Sequence, residues 1–311
     1  MENPVAAAPA RPRPLAFIIA FAAVYILWGS TYLAIKYALL TMPPLLMAGA
    51  RFVVAGLVLG AVGWVAGPRQ WPTWPQWRTA AIVGAALLVG GNGLVVLAER
   101  SLPSGLAALL VASEPLWVVV LGWWWLGQAR PGARVVLGLL LGLGGVYLLV
   151  RGQLGVEGGA SVLGVGLVLL AAFSWAAGSI YGLRAPRAAA PLLGSAMQML
   201  CGGGLLLALG TVRGEWQGFA LGQVSGASWL GWSYLVVFGS LAAFTAYGWL
   251  LRHAPPAQVA TYAYVNPVVA VGLGWLVLGE QLTPAMLAGA VVIVVAVVLI
   301  TGSEPPAERP K

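Results

Sequence analysis

The sequence predicts an all-α integral membrane protein in which ten transmembrane helices form two inverted five-helix repeats around a central cavity. Three observations predict this fold class: the composition, a series of apolar segments of similar length, and an internal repeat. Of the 311 residues, 60% are hydrophobic and 8% are charged, and the mean hydropathy is +0.92. A soluble domain carries about 25% charged residues. This chain therefore cannot cover a surface that faces water, and the lipid bilayer must surround most of it.

The apolar segments are long enough to cross a bilayer, which takes about 20 residues of helix. Short connections separate them, and the longest, residues 213–226, is too short for an inserted domain. The tails 1–14 and 302–311 are polar and rich in proline, and we expect them to be disordered and cytoplasmic. The predicted spans are 15–38, 44–66, 77–98, 103–126, 131–150, 161–183, 191–211, 227–250, 256–278 and 283–301.

The internal repeat relates the two halves of the chain. Residues 100–127 recur 152 positions later as residues 252–279, with ten identities in 28 aligned positions. The first five-helix repeat is predicted at 15–150 and the second at 161–301. Because five is odd, the second repeat enters the membrane from the opposite side, and a pseudo-twofold axis lies in the membrane plane. Inverted repeats are typical of alternating access, since one sequence then supplies both an inner and an outer gate.

The basic residues predict the orientation of the chain. With both termini in the cytoplasm, eleven arginines and lysines fall in the inside segments and three, Arg100, Arg151 and Arg213, in the outside segments. Such an excess is typical of cytoplasmic loops. The arginine-rich, lysine-poor composition resembles that of GC-rich bacterial genomes, so we expect a multi-pass protein of the bacterial inner membrane. The net charge of +8 serves topology and anionic lipid head groups, and no nucleic acid is expected as a partner.

The composition also excludes several classes of chemistry. The chain contains no aspartate, one histidine and one cysteine. A membrane enzyme needs paired carboxylates, a cluster of histidine and aspartate, or a nucleophile with its base. We therefore expect no enzyme, no catalytic residue, no metal site and no cofactor. Because no nucleotide-binding motif is present, a gradient of substrate or ions must drive transport. Uniport and proton coupling both fit the sequence, as do a monomer and a weak dimer.

Glu114 is the strongest candidate for a functional side chain. It lies near the middle of the fourth span and is the only carboxylate far from a predicted span end. A carboxylate at that depth is costly unless it faces water or a partner, so function is the default interpretation. Pro115 has no N–H, which leaves the carbonyl group of Val111 free to face a cavity. The alternative is a structural ion pair with Lys36 or Arg51.

Other candidates follow from helical periodicity and from the repeat. Gln258, Tyr262 and Asn266 recur every four residues and so share one helix face, and Asn266 is the repeat counterpart of Glu114. Deep tryptophans are also candidates, although most tryptophans in membrane proteins lie at the interfaces. The predicted substrate-binding residues are Trp28, Tyr32, Asn92, Glu114, Trp175, Ser179, Phe244, Tyr247, Gln258, Tyr262 and Asn266.

Several short motifs resemble those of one transporter family. They are Trp28-Gly29-Ser30-Thr31, Arg51-Phe52, Glu114-Pro115, Asn266-Pro267 and a Leu-Gly-Gln/Glu sequence at 126–128 and 278–280. Together they resemble the drug/metabolite transporter superfamily, and within it the ten-helix EamA-type permeases, over residues 17–301. The resemblance implies a basket of ten helices around a central cavity that carries metabolites such as amino acids.

The resemblance to amino acid exporters and the aromatic candidates together predict the substrate. We expect export of small molecules, namely amino acids with apolar or aromatic side chains. Aromatic rings would form flat walls, amide groups would hydrogen-bond a zwitterion, and Glu114 would pair with its ammonium group. Drugs or other neutral metabolites are the alternative substrates, and a channel-like facilitator is the alternative mechanism.

Overall fold

The structure is a computed structural model that describes residues 14–98, 102, 107, 110–150, 161–188, 190–278 and 283–302. The predicted tails, except for Pro14 and Gly302, lie outside the described residues, and so does much of the first third of the predicted fourth span. All regular secondary structure within the described ranges is helical. The predicted all-α class is therefore confirmed.

Ten main helices, numbered in chain order, are described. They are α1 (Pro14–Ala38), α2 (Pro44–Ala66), α3 (Trp74–Ala98), α4 (Glu114–Trp125), α5 (Ala133–Val150), α6 (Val162–Arg184), α7 (Pro191–Val212), α8 (Gly226–His253), α9 (Tyr262–Leu278) and α10 (Pro284–Thr301). Within the described ranges, eight of them are long and apolar enough to cross a membrane, if α9 is joined with the short helix Pro256–Val259 before it. The apolar stretch of α5, Ala133–Leu148, is shorter, and α4 has 12 described residues. The number of ten spans thus stays a prediction.

Prolines and capping side chains set where the helices begin. Pro44 and Pro191 both stand in the first turn of their helices, where the N–H group that proline lacks is not needed. Thr73 caps α3, and the side chain of Gln76 accepts a hydrogen bond from the backbone N–H of Thr73 at 2.9 Å. This capping box extends α3 to Trp74, three residues before the predicted start.

A carboxylate from the second half caps a helix of the first half. Glu215, in the loop after α7, accepts hydrogen bonds from the backbone N–H groups of Leu45 (2.9 Å) and Leu46 (3.0 Å) at the start of α2. An acidic group at a helix N-terminus satisfies free N–H donors and complements the helix dipole. The loop after α7 is thereby fixed to the first turn of α2.

The helices pack in pairs that a twofold axis would exchange. α2 packs along α7, and α5 packs along α10, so each of these pairs joins equivalent helices of the two halves. α1 packs against α8 and α9, and its counterpart α6 packs against α3 and α4. This arrangement is the one expected for an internal pseudo-twofold axis, and it places α1, α3, α4, α6, α8 and α9 around the centre.

Glycines allow α2 and α7 to approach each other closely. A Cβ atom on Gly203 of α7 would lie 2.9 Å from the backbone nitrogen of Val53 and 3.0 Å from the carbonyl oxygen of Gly49. A Cβ atom on Gly49 would lie 2.8 Å from the backbone nitrogen of Leu207. Small residues at helix contacts of this kind are typical of membrane bundles, where close packing replaces the hydrophobic effect between helices.

Two helices contain wider turns at matching positions. Residues Ala85–Gly93 of α3 and Leu235–Ala242 of α8 are π-helical. Such turns hold an additional residue, change which side chains inside the turn face the neighbouring helices, and occur often at functional sites. Asn92 lies in the first wide segment, and Phe244 comes shortly after the second. The two halves thus have equivalent irregularities near the centre of the bundle.

The helix predicted at 256–278 is interrupted near its start. Pro256–Val259 forms a short helix, residues 260 and 261 form turns, and α9 begins at Tyr262. The hydroxyl group of Thr261 donates to the carbonyl oxygen of Gln258 at 2.6 Å. Side-chain hydrogen bonds to nearby backbone compete with the helical pattern. Gln258 and Tyr262 are therefore not on one continuous helix face.

Candidate functional site

A cavity of about 110 Å³ lies between the two halves, and we call it the central cavity. Side chains from α1, α2, α3, α6, α8 and α9 line it, together with Glu114 at the start of α4 and Val111 just before it. Eight of the eleven predicted site residues are among them: Trp28, Tyr32, Asn92, Glu114, Trp175, Phe244, Tyr262 and Asn266. The structure brings these residues together, and their role in substrate binding stays a prediction.

Glu114 is buried in the wall of the central cavity, with 2% of its surface exposed. The hydroxyl group of Tyr262 donates a hydrogen bond to its Oε2 atom, whereas Oε1 has no hydrogen-bond partner. Lys36 is exposed, and within the described part of the chain neither Lys36 nor Arg51 forms an ion pair with Glu114. The geometry therefore gives no support to the structural ion pair considered as an alternative.

Arg51 is a second buried charged group in the same cavity, with 5% of its surface exposed. Its Nη2 atom donates to the side-chain oxygen of Asn92 at 3.2 Å, and its guanidinium carbon lies 4.1 Å from the ring centroid of Phe52. The Nε atom has no hydrogen-bond partner. From the sequence, Arg51 was expected as part of the Arg51-Phe52 motif and as an alternative ion-pair partner of Glu114, and it was not among the predicted substrate-binding residues. Its unusual depth within a span was the signal that could have identified it as a cavity residue.

Four aromatic side chains, Trp28, Trp175, Tyr247 and Tyr262, form a contact group that we call the aromatic layer. The ring centroid of Trp28 lies 5.5 Å from that of Trp175, 5.0 Å from that of Tyr247 and 4.8 Å from that of Tyr262. The Nε1–H group of Trp175 donates to the Tyr247 hydroxyl group at 3.0 Å, and that hydroxyl shares a hydrogen bond of 2.6 Å with Ser179. These contacts join α1, α6, α8 and α9.

A second cavity of about 90 Å³ lies on the other side of the aromatic layer. Tyr247 and Ser179 line it, and Phe244 lines both cavities. Arg187 and Arg252, beyond the end of α6 and in the last turn of α8, are also part of its lining. The positive-inside pattern predicts that this end faces the cytoplasm. The aromatic layer therefore separates the central cavity from the predicted cytoplasmic end.

Three predicted residues do not line the central cavity. Ser179 and Tyr247 line the second cavity, where the Tyr247 hydroxyl group accepts a hydrogen bond from Trp175 and shares another with Ser179. Gln258 is the residue that periodicity misplaced. Its amide nitrogen donates to the backbone oxygen of Thr301 at the end of α10, at 2.9 Å, because the turn at residues 260 and 261 breaks the helix between Gln258 and Tyr262.

Asn266 lines the central cavity but also serves the contact between α1 and α9. With its amide nitrogen turned toward them, it donates to the backbone oxygens of Tyr262 (3.1 Å) and Tyr25 (3.2 Å). Near the same place, the Tyr25 hydroxyl group and Thr261 share a hydrogen bond of 2.6 Å. The amide of Asn266 thus holds α1 and α9 together, whereas its counterpart Glu114 has one carboxyl oxygen without a hydrogen-bond partner.

The fold and the cavity define a helical membrane protein built from two related halves. The sequence profile of the EamA-like transporter family matches residues 15–151 and 162–302, one match for each half. The chain therefore belongs to the EamA-like transporter family, and the resemblance inferred from its short motifs is confirmed.

Individual relatives agree with this family. The chain is 40% identical over 280 residues to the inner membrane transporter YedA of Escherichia coli strain K12, covering 90% of this chain and 88% of the relative. It is 26% identical over 295 residues to a probable amino-acid metabolite efflux pump of the same strain, covering 87% and 89%. A solved crystal structure shares the fold, with a TM-score of 0.76, 23% identity, and coverage of 93% of this chain and 97% of that chain.

Proposed function

We propose that this protein is a secondary transporter of the bacterial inner membrane that exports amino acids from the cytoplasm, with a preference for apolar or aromatic side chains. The observation that carries this proposal is the central cavity, in which aromatic walls surround the buried carboxyl group of Glu114. The name of the relative YedA supports the inner membrane, and the name of the efflux pump relative supports amino acids as the class of substrate.

The chemistry of the cavity supports an amino acid as the substrate. Glu114 has a free carboxyl oxygen, which an ammonium group can approach to form a charge-assisted hydrogen bond. The rings of Trp28, Trp175 and Phe244 offer large apolar surfaces that pack well against an aliphatic or aromatic side chain. A site with few polar groups on mostly apolar walls is the usual form of a small-molecule site.

The aromatic layer supports a mechanism of alternating access. In the proposed cycle, the substrate enters the second cavity from the cytoplasm, and the layer then separates to admit it to the central cavity. The helices around Trp28 and Trp175 are equivalent under the repeat, so the two halves can exchange the roles of closed and open gate. The inverted repeat favours a carrier over a channel-like facilitator for the same reason.

Drugs or other neutral metabolites are the second candidate class of substrate. The observation that favours them is the aromatic wall itself, since Trp28, Trp175 and Phe244 can stack on any flat apolar molecule. This class differs from amino acids in its interaction with the carboxyl group of Glu114. A neutral molecule leaves the carboxyl oxygen unpaired, whereas an amino acid pairs with it.

Counterflow in proteoliposomes tests the proposal directly. Purified protein is reconstituted into vesicles loaded with an unlabelled compound, and uptake of a labelled panel is measured: phenylalanine, leucine, glutamate, a purine and a quaternary ammonium compound. We expect saturable counterflow of phenylalanine and leucine that excess unlabelled substrate inhibits. Counterflow of the purine or the quaternary ammonium compound without any amino acid signal contradicts the proposal, and flux that does not saturate indicates a channel.

A further inference from the structure

The central cavity contains two buried charged side chains of opposite sign. From the sequence, only Glu114 was predicted to bind substrate. Of the residues that line the cavity, Arg51 and Glu114 are the charged ones. Both are almost completely removed from solvent, with exposed fractions of 5% and 2%. A buried charge without a partner of opposite charge is strongly unfavourable, so such groups are normally paired or bind a ligand.

Neither group is satisfied by its protein neighbours. The Nε atom of Arg51 and the Oε1 atom of Glu114 both lack a hydrogen-bond partner. Arg51 contacts the amide oxygen of Asn92 and the ring of Phe52, and neither of these carries a charge. Among the described residues, Arg51 forms no ion pair with Glu114 or with another carboxylate. The cavity therefore offers one positive and one negative group, each with free hydrogen-bonding capacity.

We infer that Arg51, together with Asn92, forms a carboxylate subsite, so that the cavity binds the whole zwitterionic head of an α-amino acid. This inference rests on the proposed function and deepens it. Glu114 binds the ammonium group, and the guanidinium group of Arg51 binds the carboxylate with its planar set of donors. The amide nitrogen of Asn92, whose oxygen already accepts from Arg51, is a further donor to the same carboxylate.

With this subsite, the cavity selects substrates by their ammonium and carboxylate groups rather than by their side chains. A primary amine satisfies Glu114 but leaves Arg51 unpaired, and a carboxylic acid without an amino group does the reverse. A site with buried polar groups rejects analogues that leave one of them unpaired much more strongly than it rejects a change in apolar volume. The cavity would thus accept several apolar amino acids and exclude their decarboxylated or deaminated forms.

Three compounds with the same phenyl side chain separate the two subsites. Phenylalanine carries both charges, phenethylamine lacks the carboxylate, and 3-phenylpropionate lacks the ammonium group. Each is used to inhibit counterflow of labelled phenylalanine. For the wild-type protein we expect the two analogues to inhibit at least about 30-fold more weakly than phenylalanine, the loss that follows when a buried charged group is left without its partner.

Substitutions should change the two preferences separately. In Arg51→Gln, the preference for phenylalanine over phenethylamine should fall to within about threefold, while the preference over 3-phenylpropionate remains; in Glu114→Gln, the opposite pattern is expected. Binding is followed by quenching of tryptophan fluorescence, so that variants with slow transport can still be measured. Arg78→Gln, which removes an exposed arginine outside the cavity, is the matched control for the loss of one positive charge.

Each outcome bears on a different claim. If phenylalanine is exchanged but phenethylamine inhibits equally well in the wild type, the carboxylate subsite is wrong and the proposed function stands. If Arg51→Gln weakens all three ligands by the same factor, Arg51 acts only through the architecture of the cavity. If Arg51→Gln does not fold, Asn92→Leu must show the same loss of preference against phenethylamine, in weaker form. Absence of any amino acid exchange by the wild type contradicts the proposed function itself.

Discussion

At the residue scale, the two oxygens of Glu114 are in different situations. One accepts the hydrogen bond of Tyr262, and the other is buried without a hydrogen-bond partner in the protein. A carboxyl group in this position can bind the substrate, exchange a proton, or do both in turn. The same oxygen cannot hold a proton and accept from an ammonium group at once, so competition between proton and substrate would couple their movements in opposite directions.

The first prediction concerns the pH dependence of transport. If Glu114 exchanges protons, flux through the wild-type protein should vary between about pH 5.5 and pH 8, a range in which buried carboxyl groups can titrate. Glu114→Gln removes the titratable group but keeps the size of the side chain, so its remaining flux should not depend on pH in this range. Initial rates in proteoliposomes clamped at each pH measure this, with the amount of folded protein checked by size-exclusion chromatography. Wild-type flux that is constant across the range would contradict proton exchange by Glu114 and return it to a structural role.

At the element scale, the aromatic layer joins four helices by ring contacts, and hydrogen bonds between α6 and α8, both in the second half, add to these contacts. Trp28 and Trp175 lie in α1 and α6, which are equivalent helices of the two halves, whereas Tyr247 has Val95 as its counterpart 152 positions earlier. The hydrogen bonds of Tyr247 to Trp175 and Ser179 therefore have no equivalent on the opposite side. This difference favours closure of the layer over closure of the equivalent region across the membrane.

The second prediction follows from this difference. Tyr247→Phe keeps the ring but removes both hydrogen bonds, each worth about 0.5–1.5 kcal/mol, so opening of the layer should increase on the order of tenfold. Val95→Cys in the central cavity, in a Cys201→Ser background, reports opening as the rate of labelling from the cytoplasmic face. Tyr147→Phe, on the exposed side of α5, is the matched control. If Val95→Cys is labelled at the same rate with and without the Tyr247→Phe substitution, the hydrogen bonds of Tyr247 do not hold the layer closed.

The third prediction concerns the contact between α2 and α7. Gly203→Ala places a methyl group about 3 Å from the backbone of α2, too close without movement of the helices, and should lower stability by about 1–3 kcal/mol. Gly204→Ala is the control. Gly204 follows Gly203 in α7 but is exposed, and a Cβ atom added to it would have nothing within 4 Å. Thermal unfolding in detergent compares the two variants. Because alanine favours helix more than glycine does, a Gly204 variant that is destabilised as much as the Gly203 variant would show that close packing of α2 against α7 is not the cause.

At the scale of the whole molecule, orientation in the membrane is the fourth prediction. The arginine pattern places the loop between α2 and α3 inside and the loop between α7 and α8 outside. The single-cysteine variants Gln70→Cys and Gln223→Cys, each in a Cys201→Ser background, should react with a membrane-impermeant thiol reagent from opposite faces of the membrane. Both positions are exposed, and Gln223 avoids the positive φ of 77° at nearby Gly218, where a side chain would be strained. Labelling of Gln223→Cys only from the cytoplasm would reverse this topology.

Much of the fold could be predicted because proline, glycine and arginine mark the ends of apolar segments. The predicted second span, 44–66, has the bounds of α2, since Pro44 begins the helix and Gly67 follows its end. Rotation about a helix axis is harder to predict, because depth in a span does not say which neighbour a side chain meets. Arg51 illustrates this, since its depth was evident but its place beside Asn92 depends on the packing of α2 against α3. Gln258 was misplaced because one side-chain hydrogen bond from Thr261 interrupts a pattern that looks continuous.

The wide turns in α3 and α8 mean that the length of these helices, and not only their side chains, determines what faces the substrate. Each such turn holds an additional residue. Deleting one residue there would restore ordinary α-helix and move the side chains inside the wide segment to new positions around the helix axis, while the helix beyond it keeps nearly the same rotation. Asn92, which lies inside the first wide segment, would then change its position on the cavity wall although every remaining side chain is unchanged. Relatives of this protein could thus acquire a new specificity through a single-codon deletion that no comparison of aligned substitutions would reveal.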